Sequence, residues 1–175
     1  MRRIPFSLLL VIIACPVWAA ASPVKINIAW RYKDFAAPVT IYEVKGQPRL
    51  WHTASVAGLA DAPVTMPITG SAFQLEPGKI KRFALVAQNT ADQPLYFFAA
   101  PHTVQPEEDA LGFKFKCLCT NQAYAIGPKQ TWYRIVEFRL SPDFVGKELT
   151  ITHTLIGIDK ERAASFSKKP VMPDM

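Results

Sequence analysis

The sequence predicts an all-β domain of about eight or nine short strands, packed as a sandwich of two sheets. Three observations lead to this prediction. Several segments alternate apolar and polar residues, which is the period of a strand with one buried face. Turn residues recur about every ten positions. The chain also holds 15 prolines against 8 glycines, and half of its 175 residues are hydrophobic, so it can bury a substantial core.

The predicted strands follow one another along the chain with turns between them. Val24–Trp30 alternates strictly, and residues 56–71, rich in Ala, Pro, Gly and Thr, predict a loop with room for one short strand. No Cys-Trp-Cys spacing of an antibody domain is present, so the sandwich is immunoglobulin-like by its strand pattern alone. The other predicted strands are 38–44, 50–53, 79–89, 94–100, 112–120, 130–140 and 148–159.

The N-terminus has the residue order of a secretory signal. Met1-Arg-Arg3 precedes an apolar run from Ile4 to Ala21, which ends in small residues. Cleavage, acylation at Cys15 and retention as an anchor of about 20 residues are three interpretations, and all of them export the chain. We expect a protein on the periplasmic side of the inner membrane if the run is retained, or free in the periplasm if it is cleaved. The chain then divides into a signal peptide or anchor (1–21), a sandwich domain (22–159) and a flexible tail (160–175).

Charge and residue types exclude two functional classes. The net charge is +6, but no run of five basic residues occurs, and this argues against a nucleic-acid partner. Asp and Glu are scattered over predicted turns, and no serine stands in a nucleophile context. We therefore predict that the protein is not an enzyme.

The segment Gly112–Thr120 carries the most informative pair of residues, Cys117 and Cys119. On a strand, residues two apart share a face, so the two thiols should point the same way with roots about 6.5 Å apart. That separation is at the far edge of an unstrained disulfide, and a bridge here would close almost no loop. Two sulfurs can still converge on one metal ion, and thiolates favour Cu(I) or Zn(II). The spacing predicts a metal site with both cysteines as ligands.

Other interpretations of the cysteines and other candidate ligands stay open. Two buried core thiols, or a redox dithiol, would give the same sequence. His102 is a candidate third ligand, whereas His153, in phase with Ile151 and Leu155, predicts a satisfied core or rim histidine. The further candidates are His52 and, in the predicted tail, the thioethers of Met172 and Met175.

Five segments stand in a recognisable order along the chain: Leu75-Glu-Pro-Gly78, Ala84–Asn89, Thr103-Val-Gln-Pro106, Phe113–Cys119 and Pro142-Asp143. Their order and spacing resemble the CtaG family of cytochrome c oxidase assembly proteins, copper chaperones that serve the copper B centre of the oxidase. The resemblance covers about residues 72 to 158 and leaves 24–71 unaccounted for. The family motif Cys-Phe-Cys-Phe falls on Cys117 and Cys119, with Leu118 and Thr120 in place of its phenylalanines.

The resemblance implies a Cu(I) site at the two cysteines, in an immunoglobulin-like domain tethered by one helix to the outer face of the inner membrane. It also implies a site that two protomers can share as a homodimer, and the copper subunit of cytochrome c oxidase as recipient. The family's Met-Pro-Val stretch is replaced here by Tyr133-Arg-Ile-Val136, so another cuproenzyme is the alternative recipient. Two other functions compete with the chaperone: a periplasmic thiol-disulfide reductant and a β-sandwich adaptor without metal.

Overall fold

The computed structural model describes residues 22–166 and confirms a chain made of β-strands in two sheets, with one short helix. The N-terminal segment predicted as signal or anchor, and the methionines Met172 and Met175, lie outside the described residues. The strands are β1 (Val24–Lys33), β2 (Val39–Val44), β3 (Thr53–Val56), β4 (Val64–Pro67), β5 (Ala72–Leu75), β6 (Ile80–Gln88), β7 (Leu95–Ala99), β8 (Thr103–Gln105), β9 (Phe113–Lys116), β10 (Ala123–Ile126), β11 (Thr131–Leu140) and β12 (Glu148–Ile158).

The first sheet has the strand order β10-β7-β12-β1-β5, and β8 also pairs with β12. Strands β1 and β12 run parallel over nine paired residues, and the other pairs are antiparallel. Both β7 and β8 lie along the same side of β12, β7 beside Leu155–Ile158 and β8 beside Thr150–Thr152. One edge of a long strand is thus shared by two short ones.

The second sheet has the order β3-β11-β6-β2-β4, and β9 also pairs with β11. Its arrangement repeats that of the first sheet. One edge of β11 pairs with β3 over residues 131–134 and with β9 over residues 137–140. In each sheet, therefore, two short strands pair with the same edge of the longest strand, and the first must end before the second begins.

The main core lies between the two sheets and follows from the alternation of the strands. Ile26 and Phe97 of the first sheet and Phe83 and Phe138 of the second are fully buried in one cluster. Their intervening residues face outward, and in β9 the pattern is clear: Phe113 and Phe115 point inward while the lysines between and after them are exposed. Burial at about 25 cal/mol per Å² of apolar surface makes this cluster the main source of stability.

The predicted flexible tail is wrong at its start. Residues Lys160–Phe166 form a helix, α1, and the ring of Phe166 packs on Phe98 with centroids 5.4 Å apart. Asp159 starts the helix, since its side chain accepts a hydrogen bond from the Arg162 N–H at 2.7 Å. The sequence offered only seven helical residues, too few to show a helical period.

Three short strands, β5, β8 and β10, also lie in segments that carried no strand prediction. Strand β8 has three residues and the other two have four, so each is shorter than the alternation that would reveal it. Within residues 22–166, no helix combines the length and the apolar character that crossing a bilayer requires.

Candidate metal centre

The cysteines lie in a turn that follows β9, and not on a continuous strand as the alternation predicted. β9 ends at Lys116, and the chain then bends through Cys117 to Thr120. The reason lies on the neighbouring strand, β11. Beyond Glu137, the partner of Lys116, its edge is already occupied: the Ile135 N–H donates to the His52 carbonyl at 2.9 Å.

Beyond the bend the two sulfurs lie in contact. Cys117 Sγ and Cys119 Sγ are 3.4 Å apart and joined by a hydrogen bond. Leu118, between them, is fully buried instead of pointing outward. The two thiols converge as predicted, but they do so in a turn and not on a strand.

A buried arginine holds the turn in place. The Arg134 side chain points inward from β11, where its Nε donates to the Cys117 carbonyl at 3.2 Å and its Nη1 to Thr53 Oγ1 at 2.9 Å. Its guanidinium also lies over the Tyr124 ring, 5.3 Å from the centroid. Burial lowers the pKa of Arg134. A guanidinium donates in a fixed fork, so it fixes where the Cys117 backbone sits.

His102 comes to the cysteines from the equivalent break in the other sheet. After β7 the Ala100 N–H still bonds to the Thr154 carbonyl at 3.0 Å, but the chain then leaves β12 at Pro101 and rejoins it as β8. His102 occupies this gap. Its Nδ1 lies 3.6 Å from Cys119 Sγ and 3.9 Å from Cys117 Sγ. The prediction of His102 as a candidate third ligand is supported by this placement.

His153 is the residue that the sequence assigned wrongly. It points inward from β12, in the phase of Ile151 and Leu155 as predicted, and is fully buried. It is not satisfied, however. Its Nδ1 lies 3.8 Å from Cys119 Sγ, and its Nε2 is buried with no hydrogen-bond partner among the described residues. Trp30, its partner in the parallel pair, stacks on its ring with centroids 5.2 Å apart.

Together these four side chains form a cluster with the geometry of a metal centre. One ligand atom from each of His102, Cys117, Cys119 and His153 can be chosen so that all four lie within 4.8 Å of one another. A tetrahedral ion with sulfur at about 2.3 Å and nitrogen at about 2.0–2.1 Å separates its ligand atoms by roughly 3.3–3.8 Å. Four of the six distances between these atoms, at 3.4 to 3.9 Å, lie close to that range, and all six are within 4.8 Å. The cluster can therefore hold a metal ion with two sulfur and two nitrogen ligands.

The electrostatics of the cluster favour a cation. The hydrogen bond between the two thiols, with smaller contributions from His102 and His153, lowers the pKa of Cys117. The same bond, together with burial, raises the pKa of Cys119. Burial lowers the pKa of His153 to about 4, so at neutral pH its imidazole is neutral and can bind a metal. The site combines a readily formed thiolate with a neutral imidazole, and a metal would displace the remaining thiol proton.

The cluster is closed on one side and open on the other. Cys117 and His153 are buried, whereas Cys119 and His102 are partly exposed. A pocket of about 540 Å³ leads to the two cysteines and His102, and its other lining residues are Trp51, Lys114, Phe115, Lys116 and Thr120. On this open side, an ion or an incoming ligand meets Cys119 and His102 first.

Of the further ligand candidates, His52 is the one within the described residues, and it does not join the cluster. His52 stacks on Tyr133, with centroids 5.6 Å apart, on the outer face of the second sheet.

The sequence carried one signal that pointed to His153 as a ligand. A histidine at an inward position of a strand has few polar partners available. That signal does not by itself distinguish a ligand from a histidine bonded in the core.

Comparison with known families and proteins adds one match. A family model described as "Domain of unknown function (DUF8709)" matches residues 24–158, the whole two-sheet domain. No curated protein matches the chain.

Replacing His153 with Leu should stabilise the metal-free protein. A buried polar group without a partner costs about 1–3 kcal/mol, and Leu removes that group while filling similar space. We expect the free energy of unfolding, measured by urea denaturation in the presence of a chelator, to rise by about 1 kcal/mol. His102→Leu is the matched control, because His102 is partly exposed and should change little. A loss of several kcal/mol in His153→Leu would show that His153 is bonded in the folded state.

The His153→Leu variant should also change how the free energy of unfolding depends on pH. The pKa of His153 is depressed from its ordinary value of 6.5 to about 4 in the folded protein, so the unfolded chain binds this proton at higher pH. The metal-free protein should therefore lose stability as the pH falls from 6.5 towards 4, and His153→Leu should lose less.

Proposed function

We propose that this chain, which belongs to the family of the domain of unknown function DUF8709, is a copper chaperone that carries Cu(I) as its cargo. Cys117, Cys119, His102 and His153 would bind the ion, and a partner protein would receive it. The observation that carries the proposal is the cluster itself. Two sulfurs 3.4 Å apart lie within 4.8 Å of two imidazole nitrogens, with one side buried and the other open.

The donor set supports a soft or borderline ion. Thiolate sulfur selects Cu(I) and Zn(II), and imidazole suits both metals, whereas carboxylates, the ligands of Ca²⁺ and Mg²⁺, are absent from this cluster. Zn(II) fits the same four ligands. The predicted export of the chain and its resemblance to the CtaG copper chaperones favour Cu(I).

The open side supports transfer by ligand exchange. An incoming thiolate or imidazole would meet Cys119 and His102 first, since both are partly exposed at the pocket. These two ligands can leave the ion in turn while Cys117 and His153, which are buried, still hold it. Copper is then never free in solution during the transfer. A site with four buried ligands could not release its ion in this stepwise way.

All four ligands come from one chain. The resemblance implies a site that two protomers can share, and this would be needed if the cysteines were the only ligands. With His102 and His153 added, one protomer completes a four-coordinate site. We therefore propose one Cu(I) per protomer, bound without a dimer, in an immunoglobulin-like domain facing the periplasm.

The proposed recipient is the copper subunit of cytochrome c oxidase, on the strength of the ordered resemblance from Leu75 to Asp143. The loss of the two motif phenylalanines, at Leu118 and Thr120, leaves another cuproenzyme as the alternative. Leu118 is fully buried, so its change from phenylalanine alters the interior and not a docking surface. Thr120 lines the pocket and would touch a partner there.

A thiol-disulfide reductant is the second candidate, because the hydrogen bond between the thiols lowers the pKa of Cys117. A thiolate is the attacking form in disulfide exchange. The two imidazoles favour the metal, since each places its Nδ1 within 3.9 Å of a cysteine sulfur and together they complete a set of four ligand atoms, which a dithiol reductant does not need.

The first prediction concerns binding. The full-length protein, loaded anaerobically, should bind one Cu(I) with sulfur and nitrogen ligands in its X-ray absorption spectrum. Binding should be lost in Cys117→Ser/Cys119→Ser. His102→Gln should weaken it by at least about 10- to 100-fold, because loss of even a hydrogen-bonding partner of a ligand costs that much. His52→Gln is the matched control and should bind as the wild type does. Retention of Zn(II) against excess Cu(I) would remove the copper assignment.

The second prediction concerns the recipient. Deletion of the gene should leave a copper-dependent membrane oxidase assembled but short of copper, with total periplasmic copper little changed. The Cys117→Ser allele should behave like the deletion, since the protein is present but cannot carry the ion. Oxidase activity and copper content of membranes measure this. Normal values in both strains would leave copper binding intact and exclude the oxidase as recipient.

The third prediction separates the two candidate functions. A disulfide between residues two apart is strained, so the oxidised pair should be reduced easily. We expect a reduction potential well above about −300 mV, the range of structural disulfides. A potential below that value would contradict the metal site. If the wild type reduces a protein disulfide faster than His153→Leu does, with copper absent, the reductant is the better description.

A further inference from the structure

Next to the pocket, the outer face of the second sheet carries a group of cations. Alternation along β9, β11 and β6 turns Lys114, Lys116, Arg139 and Arg82 outward. They are neighbours across the strands, because Lys114 pairs with Arg139 and both Lys116 and Arg82 pair with Glu137. We call these four residues the basic patch.

The charges of the basic patch are not balanced. Glu137 is the sole carboxylate at the outward positions of the three strands, and its side chain is only 5% exposed. It is bound to Arg82 Nε at 2.8 Å and lies 3.7 Å from Arg139 Nη2. Lys114 and Lys116 have no carboxylate within 4.0 Å among the described residues. Four cations therefore face solvent against one nearly buried anion.

The basic patch is continuous with the entrance to the cluster. Lys114 and Lys116 line the same pocket as Cys117, Cys119 and His102. The Lys116 ammonium lies 5.7 Å from the centroid of the Trp51 ring, and Trp51 lines the pocket and is 38% exposed. Any partner that reaches the cysteines must pass beside these two lysines and this ring.

We propose that the basic patch is the docking surface for the copper recipient, and that the recipient presents an acidic protein surface around its own metal ligands. This rests on the proposed function. Like charges at a contact cost several kcal/mol and opposite charges steer the encounter, so the patch selects an anionic partner. Ligand exchange also needs a thiolate, thioether or imidazole from the partner. A protein supplies all three groups, whereas a nucleic acid or a lipid headgroup carries neither a thiolate nor a thioether.

The expected effect is mainly on the rate of transfer. The lysines are exposed, so they act through the long-range field and are screened over about 8 Å at physiological ionic strength. Such fields raise association rates by 10-fold to 10³-fold at low salt and change the strength of the final contact less. The signature of the basic patch is therefore a salt-dependent rate that follows the charge of the acceptor.

Two synthetic acceptor peptides test this proposal. Both contain the same segment with two cysteines, and their flanks are either four glutamates or four glutamines. Stopped-flow transfer of Cu(I) from the loaded full-length protein should be at least about tenfold faster to the glutamate peptide at low salt, and the difference should shrink as salt rises. In Lys114→Gln/Lys116→Gln the two rates should become equal. Using the ratio of the two peptides cancels any change in copper affinity.

Lys33→Gln/Lys160→Gln is the matched control, because it removes the same charge from exposed positions at the end of β1 and the start of α1. It should keep the wild-type ratio. Equal rates for both peptides with the wild type, or an equal effect of the control variant, would overturn the proposal. Neither result would contradict the proposal that the protein binds copper.

A copper-independent measurement keeps the two proposals separate. The metal-free protein should bind a labelled peptide of ten glutamates, followed by anisotropy, and Lys114→Gln/Lys116→Gln should lose this binding. If the protein fails to load Cu(I) but still binds the peptide through these lysines, the chaperone is wrong and the acidic partner stands. Tighter binding of a single-stranded oligonucleotide of equal charge would overturn the choice of a protein partner.

Discussion

The candidate centre depends on one constraint of β-sheets: an edge of a strand can bond only one partner at each position. Strands β11 and β12 each share an edge between two shorter segments. At each changeover the chain must leave the sheet, on one side at Cys117 and on the other at His102. Because the two sheets face each other, the two breaks meet. Three of the four candidate ligands, His102, Cys117 and Cys119, therefore lie where hydrogen bonding between strands is interrupted.

This arrangement explains how the cluster can be both rigid and accessible. His153 comes from the middle of a central strand, and Arg134 fixes the turn from β11, the strand that pairs with β9. Both belong to long strands with many backbone bonds, so the floor of the site is fixed before any ion arrives. Cys119 and His102 belong to the interrupted segments and remain partly exposed. In the proposed metal site, the buried ligands that would hold the ion and the exposed ligands that would release it come from different parts of the fold.

The buried histidine also marks the site as functional in energetic terms. A sandwich core of this size gains nothing from an unpaired imidazole nitrogen, and Leu or Phe would fill the position at lower cost. The uncompensated positive charge beside the pocket is a similar feature, because the basic patch adds repulsion within the fold. The proposed metal ion, bound at Nδ1, would give the histidine a role despite this cost, and the proposed acidic surface of a partner would balance the charge of the basic patch.

From the sequence alone we predict the all-β class, most of the long strands, the inward phase of His153 and the Cys117–Cys119 pair as candidate metal ligands. These are local properties: alternation, turn residues and spacing over a few positions. The turn at the cysteines depends on contacts between strands, and so does the approach of His153 Nδ1 to within 3.8 Å of Cys119 Sγ from 34 residues further along the chain. The helix at residues 160–166 is likewise seen only in the folded structure. The physical reason is that edge sharing and sheet-to-sheet contact are non-local, so no pattern within a short segment can encode them.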